Sequence, residues 1–254
     1  MKHFSFHSDS DSASLLQCGL FILSIIFISA VSISYGQNHL KKEASTTNAD
    51  VASSKNIPAS GTAYSKSSKK LPIYCVDTPD KKIALSFDAA WGNEDTKKIM
   101  DILDEYKVHV TFFMTGGWVN SYPDDVKMIA ERGHDLGNHS QNHKQMSQLS
   151  SAECKEEIMS VHNKVKELTG KEMSLFRPPY GDYNDTLVTC AKECGYNAIQ
   201  WDVDSLDWKD YGVDSIIKTV CEHKHLGNGS IILCHNGAKY TAEALKTLIS
   251  TLQE

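Results

Sequence analysis

Two imidazoles four residues apart, in His139-Ser140-Gln141-Asn142-His143, form a pattern that suits a metal ion. On one helical turn they would share a face and offer two ligands to one divalent cation. The same spacing also occurs among ordinary surface histidines. A carboxylate, Asp88, stands in Ser86-Phe87-Asp88-Ala89-Ala90-Trp91-Gly92, where a short apolar run ends. An aspartate there serves as a cap, a base or a metal ligand. Arg177-Pro178-Pro179-Tyr180-Gly181 is a turn whose path two prolines fix. It is either a tight turn with a surface arginine or a device that aims the Tyr180 N–H into a site as an oxyanion donor, while Arg177 holds a carboxylate ionised. The segment from Trp201 to Trp208, WDVDSLDW, gathers three acids and two tryptophans. Solvated loop acids and sugar-binding grooves share that composition. Finally, Ile231-Ile232-Leu233-Cys234-His235-Asn236-Gly237 delivers a histidine at the end of an apolar run. Such a histidine hydrogen-bonds a carbonyl or, with an acid beside it, acts as a general acid.

The elements that must position these groups alternate. Short apolar runs predict strands at Lys82 to Asp88, His109 to Thr115, His134 to Asn138, Leu175 to Arg177, Asn197 to Val203 and Ser230 to Cys234. Helical periodicity falls between them, at Thr96 to Tyr106, Pro123 to Arg132, Ser151 to Thr169, Asp185 to Glu193 and Val213 to His225, and again from near Tyr240. Gly133, Gly170 and Gly195 each follow a helical run, where a left-handed cap favours glycine. This alternation predicts an α/β fold with a parallel sheet, open or closed into a barrel. In such folds the carboxyl ends of the strands share one rim, and Asp88, His139, Arg177, Asp204 and His235 all fall at strand ends. Five polar groups from five strands would converge there.

The rest of the chain bounds the setting. A length of 254 residues with 41% hydrophobic and 23% charged residues supports one large domain plus an appendage. A net charge of −6 with no basic run excludes a nucleic-acid binder. Residues 1–14 form a short tail. Residues 15–35, LLQCGLFILSIIFISAVSISY, carry no charge over about the length of a bilayer-crossing helix. This segment predicts insertion into a membrane, as an anchor with the bulk of the protein outside the cell or as a cleaved secretion signal. Residues 36–70, rich in Ser, Thr, Ala, Asn and Lys, read as a flexible spacer, and residues 71–254 as the folded domain. The seven cysteines show neither a CxxC pair nor a zinc-finger spacing, so no disulfide framework is implied.

SFDAAWG, HSQNH, RPPYG, DSLDW and LCH, in this order and at these intervals, resemble the five motifs of the NodB-like polysaccharide deacetylases, carbohydrate esterase family four. The resemblance runs from about Pro72 to the C-terminus, and the FDAAWG form is similar to a sporulation-associated, clostridial branch. It implies a distorted (β/α) barrel and metal-dependent removal of N-acetyl groups from amino sugars, and the apolar segment and spacer favour a cell-wall polymer such as peptidoglycan as the substrate. His139 and His143 match the metal ligands, for a divalent ion that would be zinc, with cobalt or nickel as alternatives. Asp88 matches the base that takes a proton from water, Arg177 the residue that positions it, and Tyr180 the oxyanion donor. His235 matches the general acid, with Asp204 as the carboxylate that tunes it. Trp208 and Leu233 match positions lining the groove around the acetyl pocket. The same machinery would serve an O-acetyl esterase, and a wall-binding pseudoenzyme is the non-catalytic reading.

Two departures stand out. Most relatives carry a second Asp after the base, which completes an Asp-His-His site, and here that residue is Ala89. Water, Glu94 or Asp95 would have to replace it, although Asn93 or Asp95 also suits the cap of the helix at Thr96. The chain also ends in a helical run with no further strand, so the barrel is expected to lack its last strand or to be closed from elsewhere.

Overall fold

The computed structural model describes residues 69–254. The apolar run at residues 15–35 and nearly all of the spacer lie outside the described residues. Among the described residues no helix is long and apolar enough to cross a membrane.

Seven strands and seven helices alternate: β1 Ala84–Ala89, α1 Thr96–Tyr106, β2 Thr111–Met114, α2 Gly116–Ser121, α3 Pro123–Glu131, β3 Asp135–Asn138, α4 Ser151–Thr169, β4 Leu175–Phe176, α5 Asp185–Glu193, β5 Asn197–Ala198, β6 Val203–Asp204, α6 Val213–Cys221, β7 Ile231–Asn236 and α7 Thr241–Leu252. The helix boundaries follow local chemistry. In α4, Ser150 accepts from the Glu153 N–H while the Glu153 carboxylate accepts from the Ser150 N–H, a reciprocal cap, and Gly170 ends the helix at φ 71°. In α1, Ile99, Met100, Ile102 and Leu103 are buried along one face, as the periodicity predicts. The α2 turn has no such stripe and opens on two glycines, and its start is set by Thr115, whose side chain accepts from the Trp118 N–H.

All sheet pairings are parallel, in the order β5-β4-β3-β2-β1-β7-β6. The two ends of this order, β5 and β6, belong to one continuous run, read from sequence as a single strand from Asn197 to Val203. Its first half donates from Asn197 and Ile199 to the backbone of the β4 side, at Ser174 and Phe176. Its second half donates from Asp202 and Ser205 to Ile231 and Leu233 of β7. The sheet therefore curls until one run joins both of its edges. In the middle of that run, the Gln200 N–H donates to the Ile73 carbonyl, and the Ile73 N–H donates to Ala198. Residues 197–204 and the segment around Ile73 thus close the sheet between its two edges.

Pleating divides the side chains of each strand between two layers. Phe87 and Ala89 of β1 face the large core shared with the helices, with Phe112, Met114, Ile99, Leu103 and Trp118. Ser86 and Asp88 alternate with them and face the barrel interior, whose apolar part is a small cluster of Phe113, Ile199 and Ile231 with Leu175 and Trp201 beside it. The interior is narrow and ends at its carboxyl rim in polar groups.

Candidate active site

Strand register explains why the polar groups meet. Asp88 of β1 is opposite Phe113 of β2 on one side and His235 of β7 on the other, and Phe113 is opposite Gly137 of β3. Residues in register across parallel strands share a face, so Asp88 and His235 stand side by side, about 5 Å apart at the backbone, and both point inward. Gly137 has to lack a side chain, because a Cβ there would lie 2.5 Å from the Phe113 ring. The ring that uses this space supports Arg177, whose guanidinium carbon lies 4.0 Å from the Phe113 centroid and 5.6 Å from that of Trp201.

Arg177 leaves β4 fully buried. Its Nη1 donates to Asp88 Oδ1 at 2.7 Å, and Nη2 donates to Ser86 Oγ at 2.9 Å and to the Gln200 carbonyl at 3.3 Å. Ser86 in turn donates to the Ile232 carbonyl at 2.7 Å. The arginine thus joins β4, β1 and the closing run, and occupies one oxygen of Asp88. Burial pushes the Asp88 carboxyl up, but neighbouring His139, Arg177 and His235 outweigh it and bring it below its ordinary value. His139 is held neutral by its own burial, so the permanent charge of Arg177, with His235 beside it, is the effective cause.

His139 and His143 are brought together by a loop and not by a helical turn. Ser140 and His143 both adopt left-handed backbone, at φ 66° and 52°, and no helix is present between β3 and Met146. The conformation is held by bonds from Ser140 N–H to Asn138 Oδ1 and from His143 N–H to Ser140 Oγ, each 3.0 Å. The imidazole centroids end 4.9 Å apart. His139 Nδ1 lies 2.7 Å from the Arg177 carbonyl and so carries the proton, which leaves Nε2 as a lone pair 3.4 Å from Asp88 Oδ2. His143 is pushed down to about 4 by burial and by His139, so it is neutral near pH 7. Two neutral imidazoles with free lone pairs fit a divalent ion, bound from one side. Ala89 faces the helix-side core and adds no donor, and among the described residues no three His, Cys, Asp or Glu side chains gather into a fuller set.

Glu94 and Asp95 do not supply the missing ligand. Asp95 accepts from the Gly237 N–H through both oxygens, at 2.9 and 3.0 Å, and Glu94 accepts from the Asn93 N–H. Neither Asn93 nor Asp95 is the expected side-chain cap of α1: Asp95 occupies the capping position without a cap bond, and Asn93 donates to Asp125. The Gly237 amide draws the Asp95 carboxylate away from the helix end.

The carboxylate at His235 is Asp207, not the expected Asp204. Asp207 is fully buried, and its Oδ1 lies 2.7 Å from His235 Nδ1. Its Oδ2 accepts from the His235 backbone N–H at 2.7 Å and from the Thr241 hydroxyl at 2.6 Å. Asp204 instead accepts from the Leu206 N–H at 2.9 Å and acts on the imidazole only through its charge. The reason lies in Leu206, which takes a left-handed conformation at φ 54° and turns the chain so that Asp207 reaches beneath the histidine. Burial would lower the His235 pKa, but the Asp207 hydrogen bond and charge, with further charge from Asp88 and Asp204, raise it.

Around these groups stand exposed aromatic rings. Tyr180, at φ 60°, sits at the tip of the proline turn with its ring 4.5 Å from that of His143, and Trp91 approaches His143 from elsewhere at 5.2 Å. The turn bonds run from Gly181 N–H to Pro178 and from Asp182 N–H to Pro179, so neither takes up the Tyr180 N–H. Trp91 and Trp208 are more than half exposed, whereas Leu233 is buried inside the barrel. Sequence reading did not assign roles to Ser86, Phe113, Trp91 or Asp207. Only Asp207 carried a signal, as the second acid of DSLDW.

A curled parallel sheet with a buried Arg–Asp pair beside a His–Asp pair at its carboxyl rim defines an α/β barrel site built for moving protons. The chain belongs to the polysaccharide deacetylase family, whose model matches residues 76–199. It is 36% identical over 181 residues to a peptidoglycan-N-acetylglucosamine deacetylase of Bacillus cereus, covering 70% of this chain and 84% of that protein. It is 33% identical over 190 residues to a peptidoglycan-N-acetylmuramic acid deacetylase of Bacillus subtilis, covering 72% and 70%. Among solved structures, a pseudoenzyme of carbohydrate esterase family four from Bacillus anthracis superposes with a TM-score of 0.69 at 33% identity, over 72% of this chain and 64% of that one. A mutant of that pseudoenzyme with restored enzymatic activity superposes equally well, at 34% identity.

Proposed function

We propose that the chain removes N-acetyl groups from amino sugars of peptidoglycan, by metal-assisted hydrolysis. The observation that carries this reading is the side-by-side placement of Asp88, kept acidic by Arg177, and His235, whose proton Asp207 helps to hold. An amide needs both a base for water and an acid for the departing nitrogen. Asp88 Oδ2, which Arg177 leaves unbonded, takes a proton from water as the oxygen adds to the acetyl carbonyl. The Tyr180 N–H stabilises the negative charge that develops on the carbonyl oxygen. His235 gives its Nε2 proton to the nitrogen, the C–N bond breaks, and acetate and a free amine leave. Asp207 holds Nδ1–H throughout and keeps the ring in one orientation. His139 and His143 would hold the divalent ion, zinc with cobalt or nickel as alternatives, and the chemistry it supplies when bound is Lewis-acid activation. Trp91, Tyr180 and Trp208 offer ring faces to sugar. Peptidoglycan lies outside the cytoplasm, so this reading requires export, for which the apolar run at residues 15–35 is the suited segment.

A second reading, a wall-binding pseudoenzyme, is favoured by Ala89 and by the structural likeness to the B. anthracis pseudoenzyme. One experiment separates the two: acetate release from peptidoglycan and from N-acetylglucosamine oligomers, with zinc, cobalt or nickel added. Release by the wild type, lost by a factor of about 10²–10⁴ in His235→Ala, supports the hydrolase. Binding of the polymer with no acetate under any metal supports the pseudoenzyme.

A further inference from the structure

Beside the site lies an open surface cleft of about 600 Å³. Tyr180 and His143 form the wall it shares with the site, and Lys144, Gln145, Gln148 and Leu149 line the rest. An exposed tyrosine ring suits the C–H face of a pyranose, the two amides suit hydroxyls, and the ammonium suits an anion. Lys144 is not a free surface lysine. Its Nζ lies 2.9 Å from Oε1 of Glu157 on α4, a carboxylate only 4% exposed. Glu157 also accepts from the Asn142 backbone N–H and from its side-chain amide, each at 2.8 Å. The two oxygens of Glu157 are therefore occupied beneath the loop by three donors, of which Lys144 alone is charged. The half-exposed ammonium stands at the cavity wall with N–H bonds to spare for an anionic ligand, with Glu153 and Glu156 as its further acidic neighbours.

We propose that this cavity is the subsite for the sugar next to the reacting one, and that Lys144 selects a sugar carrying a carboxylate, such as the lactyl ether of N-acetylmuramic acid. The assignment rests on the polysaccharide reading above. Because the cavity shares Tyr180 and His143 with the site, a sugar within it neighbours one whose acetamide reaches Asp88 and His235. Glu157 acts through Lys144 by holding its stem against the loop.

The test is calorimetric titration of the full chain with two tetrasaccharides: an alternating N-acetylglucosamine–N-acetylmuramic acid strand stripped of peptide, and an N-acetylglucosamine tetramer. The wild type is expected to bind the carboxylated strand about tenfold more tightly at low salt, with the preference shrinking as salt is raised. Lys144→Gln is expected to abolish the preference and Lys144→Arg to keep it. Equal binding of both tetramers by the wild type, or a preference that survives in Lys144→Gln, overturns the assignment while leaving the polysaccharide reading intact. Binding of neither tetramer removes the polysaccharide reading, and the subsite with it. Since binding is measured, the outcome does not depend on acetate being released.

Discussion

Asp207 decides how far into the alkaline range His235 keeps its proton. The imidazole pKa is raised, so the charged form persists above the ordinary value of about 6.5. A general acid is active only while protonated, so activity should fall as the pH rises through the folded-state pKa, which lies above the ordinary one. The stability linkage has the same sign: the His235–Asp207 contribution is present below the unfolded pKa and is lost as the pH rises past the folded one. Asp207→Asn removes the charge 2.7 Å from the imidazole and leaves one acceptor oxygen for the three donors that Asp207 serves. Asp204→Asn removes only a more distant charge. The alkaline limb of kcat/KM, measured between about pH 5 and 9, should therefore move to lower pH in both variants, and further in Asp207→Asn. A larger displacement in Asp204→Asn would reverse the assignment of the two acids.

At the scale of elements, the rim carries the chemistry and the opposite end of the sheet carries a liability. His134, at the entrance to β3, is buried and pushed down to about 4, mainly by that burial and also by His109. Its Nδ1 accepts from the Val110 N–H at 3.3 Å, so Nε2 holds the proton, and that atom has no partner among the described residues. A histidine depressed in the folded state stays neutral while the unfolded chain takes up a proton, so stability is lost as the pH falls from about 6.5 towards 4. Between pH 7.5 and 5 the loss from this residue should be about 2 kcal/mol. Urea denaturation of His134→Gln should show a pH dependence flatter by that amount, and an unchanged slope would refute the account. Elements of this kind were legible in the sequence where pattern and cap agreed. Periodicity closed by Gly170 gives α4 to the residue, and Asp185–Glu193 likewise matches α5. Legibility ends where conformation depends on backbone alone. Nothing in the side chains of Ser140, His143 or Leu206 announces positive φ, yet these angles replace a helical turn with a loop and bring Asp207 under His235 in place of Asp204.

At the scale of the whole molecule, the barrel depends on the run of residues 197–204, because that run serves both edges of the sheet. Its apolar pattern shows a strand but not that it changes partners midway, since periodicity specifies a face and never a neighbour. The change is fixed by side chains at the second edge. Asp202 Oδ1 accepts from the Ile231 N–H at 2.8 Å, its Oδ2 accepts from the Ser230 hydroxyl at 3.0 Å, and its own N–H donates to the Ile231 carbonyl. One aspartate thus clasps the first residue of β7, the strand that ends in His235. Asp202→Ala leaves the Ile231 N–H without its acceptor in a buried position, at a cost of about 1–3 kcal/mol. For a domain of this size that corresponds to a melting temperature lower by roughly 2–12 °C. Asp202→Asn, which keeps one carbonyl oxygen as an acceptor, should lose less. Thermal unfolding followed by circular dichroism orders the three proteins as wild type, Asn, Ala. Identical transitions would mean that the closing run is held by its backbone bonds alone, and that the sheet does not need Asp202 to keep β7, and with it His235, in register beside Asp88.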